Sequence, residues 1–109
     1  MAIRYFWSRG VSIPAGSTVT VEYVPETDVR LNRVLCTERS AASLNNVHAE
    51  IKIMDELVTR PTVPLTCFGE TLDRGLIIDR EVKKGQTVRF TITNAGTTAV
   101  YIDIVAEIL

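Results

Sequence analysis

Residues 87–108 read TVRFTITNAGTTAVYIDIVAEI, and their period of two decides the fold. Val88, Phe90 and Ile92 share one phase against Thr87, Arg89, Thr91 and Thr93. After the break at Asn94-Ala95-Gly96-Thr97, the residues Val100, Ile102, Ile104, Ala106 and Ile108 alternate with Tyr101, Asp103, Val105 and Glu107. Side chains of a strand point alternately to its two faces, so each segment offers one apolar face to a core and a mixed face away from it. Asn and Gly tolerate positive φ, so the two segments are expected to pair as an antiparallel hairpin across the break.

The same pattern continues outward. Lys83-Lys84-Gly85-Gln86 is a second turn, preceded by Leu76–Val82 with Ile77 and Ile78 in an apolar patch, so the C-terminal third is expected to be a β-meander. Val47, Ala49, Ile51 and Ile53 alternate with His48, Glu50 and Lys52. Near the start, Ala2–Ser8 reads as extended, Pro14-Ala15-Gly16-Ser17 punctuates, and Thr18–Val24 alternates until Pro25 closes it. Asp28–Thr37 carries Val29, Leu31 and Leu35 on one phase. Arg33 and Val34 break it, the mark of a β-bulge or of a strand buried on both faces. Residues 38–46 read as a loop, and 55–64 as a connection, because Pro61 and Pro64 cannot donate to a ladder; Leu65–Phe68 is expected to return to extended structure.

With 109 residues, no internal repeat and no low-complexity linker, the chain is expected to be one domain, residues 1–109, with residues 1–10 a candidate N-terminal arm. About eight short strands with regular turn signals predict an all-β fold: an antiparallel, jelly-roll-like β-sandwich, with a closed barrel as the next choice.

Twelve Lys and Arg balance thirteen Asp and Glu, so no global field draws a polyanion, and no nucleic-acid partner is expected. No stretch approaches the roughly 20 apolar residues of a spanning helix, and Met1–Gly10 mixes charge with its aromatics where an export leader would be apolar. No membrane partner and cytoplasmic synthesis are the expectations. Cys36 and Cys67 lie far apart in sequence and form no C-x-x-C pair. They read as buried thiols, with a disulfide left open.

Chemistry is sparse. His48 is the only histidine, whereas a sandwich copper site takes two with a cysteine, and a zinc site from His48, Cys36, Cys67 and a carboxylate has no favourable spacing. A Ser or Cys nucleophile would have only His48 for its base. Asp55, Glu56, Asp73, Asp79 and Glu81 are interspersed with Arg74, Arg80, Lys83 and Lys84 and read as a mixed, solvated surface. Gly75 and Gly85 are isolated, so no phosphate-cradling loop is present. No catalytic residue, cofactor or metal is expected, and the chain is not expected to be an enzyme.

Tyr5-Phe6-Trp7 is the unusual feature. Three consecutive aromatics cannot share one face of a strand, so at least one turns away from its own core. It is then either covered by another part of the chain or available to a partner subunit or a ring-stacking ligand. Tyr5, Phe6 and Trp7 are therefore the candidate contact residues.

Leu76-Ile77-Ile78, Val82-Lys83-Lys84-Gly85-Gln86-Thr87-Val88 and Ile92-Thr93-Asn94 together resemble the closing strands of small jelly-roll proteins of viruses and phages, especially capsid decoration and other virion proteins. Ile13-Pro14-Ala15-Gly16-Ser17-Thr18 is similar to the opening turn of such domains, while the turn Lys84-Gly85-Gln86-Thr87-Val88 followed by Ile92-Thr93-Asn94 also resembles cupredoxin-like and secreted adhesion domains. The resemblance covers about half the chain. It implies a structural role, possible location in a virion, and no catalytic residues at these positions. The expected function is a non-enzymatic structural protein that forms a homo-oligomer or joins a larger protein assembly. The alternative is a ligand-binding sandwich, such as a carbohydrate-binding domain that stacks sugars on Trp7 and tyrosines.

Overall fold

The computed structural model describes residues 4–40, 42–59, 62–69 and 75–109. They form nine strands: β1 (Arg4–Ile13), β2 (Thr18–Tyr23), β3 (Val29–Glu38), β4 (Val47–Ile53), β5 (Glu56–Leu57), β6 (Val63–Pro64), β7 (Leu76–Val82), β8 (Val88–Asn94) and β9 (Val100–Ile108). The first sheet has the order β1-β9-β3-β7, the second β2-β8-β4-β5, with β6 also on β4. Every pair is antiparallel.

The pairs are nested. β1 meets β9, β2 meets β8, β3 meets β7, and β4 meets β5 as the innermost hairpin. The chain is thus one long hairpin rolled onto itself, closed where β3 pairs with β9 and β4 with β8. This is a jelly roll, the double-sheet answer to the problem of exposed strand edges.

The expected hairpin across residues 94–97 and the C-terminal meander are corrected here. β8 lies in the second sheet, while β7 and β9 lie in the first. The link crosses from one sheet to the other because Asn94, 1% exposed, is a corner brace. Its Nδ2 donates to Ile13 O (3.0 Å) and Thr98 O (2.8 Å), and its Oδ1 accepts from Gly96 N (3.0 Å). Turn residues show where a chain bends; they carry no information on which sheet receives the next strand. The two four-residue turns at Pro14–Ser17 and Lys83–Gln86 also cross between sheets. Each is closed by a backbone bond from its fourth residue to its first and has its glycine third, at φ 73° for Gly16 and 83° for Gly85, where a positive φ favours glycine.

The inward phases meet between the sheets. Ile13, Leu31, Val34, Ile102, Ile104, Ala106 and Ile108 from the first sheet face Ala49, Ile51, Val88, Phe90 and Ile92 from the second, all buried. The break in β3 is a bulge: its pairing with both neighbours shifts register between Leu31 and Arg33. The extra residue, Asn32, returns Val34 and Cys36 to the interior. Leu65–Phe68 is a single 3-10 turn, not the expected extended segment; it buries Leu65 and Phe68 and lies against β3 of the first sheet and β4 and β6 of the second.

Candidate contact surface

β1 is the longest edge of the sandwich. Its backbone pairs with β9 alone, from Arg4 opposite Ile108 to Ile13 opposite Val100, with a register shift between Ser8 and Val11. The stretch considered as an arm is therefore, from Arg4 onward, an intrinsic strand; residues 1–3 lie outside the described residues. The shift is a bulge held by Asp103. Its Oδ1 accepts from Gly10 N (2.6 Å), and its Oδ2 lies 3.4 Å from Arg39 Nε. Gly10 takes φ 59° there.

Of the candidate contact residues, Phe6 turns inward. Its ring stacks on Tyr23 (centroids 4.8 Å apart) and on Phe90 (5.9 Å), which bridges the sheets at the β1 side. Tyr5 and Trp7 pair through their backbones with Glu107 and Val105; their side chains lie outside the described residues. Beside Phe6 runs a seam of inward-facing residues that the fold leaves half-buried: Val11 on β1 and Val19, Val21 and Tyr23 on β2, packed against the core. An edge of a small sandwich exposes such residues unless something lies against it.

The outer faces differ in chemistry. On the second sheet the outward positions are Thr18, Thr20, Glu22, His48, Glu50, Lys52, Arg89, Thr91 and Thr93, with hydroxyl contacts between Thr18 and Thr93 (3.0 Å) and Thr20 and Thr91 (3.4 Å). No described aromatic faces outward there, as Tyr23 and Phe90 sit on the inward phase. On the first sheet Leu35 pairs with Val105 and both are half-buried on the outward phase, with Tyr101 and Ile77, 42% and 66% exposed, on the same face. Glu107 is 6% exposed although it too points outward, and its carboxylate accepts a hydrogen bond from the bulge residue Asn32. Sequence reading missed Glu107, because alternation alone places it among solvated residues.

The remaining chemistry-bearing residues are scattered. His48 lies half-buried on β4 opposite Thr93 and Pro64. Cys36 and Cys67 are free, and only Cys36 is buried, which corrects the expectation for Cys67. Cys67 lines an apolar groove of about 280 Å³ with Val58, Val63, Leu76, Ile77 and Ile78. Glu56 of β5 pairs with Arg80 of β7 (3.1 Å) across the mouth between those strands, Asp79 pairs with Arg30 of the neighbouring β3 (2.6 Å), and Glu81 pairs with Lys83 at the end of β7 (3.2 Å). Asp73 and Arg74 lie outside the described residues. Among the described residues no three His, Cys, Asp or Glu side chains gather as a metal-binding set. Among the described residues, too, no helix is long and apolar enough to cross a membrane.

The fold and its edges define the chain as a jelly-roll sandwich. No protein-family model matches the sequence, and no curated protein matches it.

Proposed function

We propose that this protein is a non-enzymatic structural component that self-associates or attaches to a larger assembly, a viral capsid or other virion being the specific form suggested by its C-terminal resemblance. The β1 side supports this most directly: a ten-residue edge strand beside a half-buried apolar seam. Such a surface gains more from a protein neighbour than from water, because a strand supplies the missing backbone bonds and its side chains cover the apolar atoms.

The second reading, a carbohydrate-binding module, is less well served. Its stacking platform needs outward aromatics, and among the described residues no Phe, Tyr or Trp faces outward on the second sheet, while Tyr101 is the one exposed aromatic on the first. Light scattering over a rising concentration series tests the first reading. An oligomer, or a monomer that converts to one as concentration rises, is expected. A mass that stays monomeric into the millimolar range, together with no incorporation into particles when coexpressed with capsid components, would contradict it.

A further inference from the structure

We propose that the chain forms a two-fold dimer by antiparallel pairing of β1 with the β1 of a second copy, centred on Phe6. This rests on the assembly reading above and names its geometry. The four sheet edges are not equivalent. β7 is guarded by Asp79 at φ 51°, its ion pair with Arg30, and the charged Arg80 and Glu81. β5 and β6 have two residues each. β2 is six residues long and ends just before the Val24-Pro25 break. Bulges, inserted charge, shortness and proline are the usual devices that stop strands from pairing further.

On β1 the device comes late. Its register with β9 is unbroken from Arg4 to Ser8, and only then does the bulge intervene. The open ladder is therefore five residues long and its midpoint is Phe6. A two-fold axis perpendicular to the sheet keeps inner faces inner only when paired numbers sum to an even value. The sum 12 sets Phe6 opposite Phe6, position 5 opposite position 7, and Arg4 opposite Ser8, with no like charges facing. Arg9 falls beyond the paired stretch. A second copy is the occupant that matches length and register at once, and joining two such edges leaves only guarded or short edges outside. The half-buried Val19, Val21 and Tyr23 of β2 lie beside this junction, Tyr23 stacked on Phe6 itself.

The test is cross-linking by register. In a Cys67→Ser background, one protein carries Tyr5→Cys and another Trp7→Cys. Mixed, and exposed to oxidised glutathione as the two-electron acceptor, they should form a disulfide-linked dimer at least about tenfold more than either protein alone, as pairing raises the effective thiol concentration. Arg4→Cys mixed with Ser8→Cys probes the same register at its end and serves if the first pair disturbs folding. No excess in either mixture, with wild-type protein oligomeric, overturns the β1 pairing and leaves the assembly reading standing. No excess with wild-type protein monomeric at every concentration overturns both.

Discussion

Glu38 shows how much one surface carboxylate can organise. It accepts from Ser40 Oγ (2.6 Å), Ala42 N (3.3 Å) and Tyr101 N (2.5 Å), and so ties the 39–46 connection to the start of β9. Partial burial pushes its pKa up, but these hydrogen bonds outweigh that and hold it below the ordinary carboxyl range. A depressed folded pKa means that the stabilisation is fully present above the unfolded value and is lost as pH falls through the folded one. Denaturant unfolding followed from neutral pH down to about pH 3 should therefore show a steeper loss for the wild type than for Glu38→Gln, and equal slopes would remove Glu38 from this role. Asn94 carries a larger share because it is buried. Asn94→Ala strands the Ile13 carbonyl and the Gly96 amide and should cost about 2 kcal/mol or more by urea unfolding. The thiols separate by burial. Desolvation pushes the Cys36 thiol far up while Cys67 is exposed, so an aromatic disulfide reagent should titrate one thiol in the native protein and two after unfolding.

Strands were legible where one face is buried and the other wet. β4 and β9 match their alternating stretches closely because each is central in its sheet; burial on one face leaves a clean period of two along β4 and along β9 as far as Ala106, before the buried Glu107. The broken phase at Arg33-Val34 announced the β3 bulge. The partners of β8 and β9 were not legible, because a five-residue link can close a hairpin or turn a corner, and the choice rests on Asn94 reaching Ile13 across 81 residues of sequence. β5 and β6 escaped notice because two residues show no period, and the β4–β5 loop places Met54 at φ 56° where sequence gives no glycine signal. The aromatic cluster was readable as divided between faces, but only the structure assigns Phe6 to the inside. That assignment changes what truncation does. Deleting residues 1–8 removes the Phe6 stack and half of β1, so the protein should lose roughly 3–5 kcal/mol or fail to fold, as for a buried Phe→Ala change. A truncated chain with unaltered thermal unfolding would show that β1 is dispensable.

At the scale of the molecule, rolling a nested hairpin into two sheets buries the core but cannot pair every edge. Nature guards three of the edges here with charge, brevity or proline, and leaves the regular half of β1 open beside an incompletely covered seam. The proposed structural role draws on such a surface, on backbone and packing. Residue-resolved amide hydrogen exchange, run at low and high protein concentration, reads that surface directly. Along residues 4–8 alternate amides point toward β9 and away from it. The outward-pointing ones should become protected as concentration rises, while the outward amides of the guarded edge β7 keep exchanging at one rate. Exchange on β1 that is fast and independent of concentration, over a range in which the protein is shown to assemble, would contradict the claim that the molecule joins its neighbours through this edge.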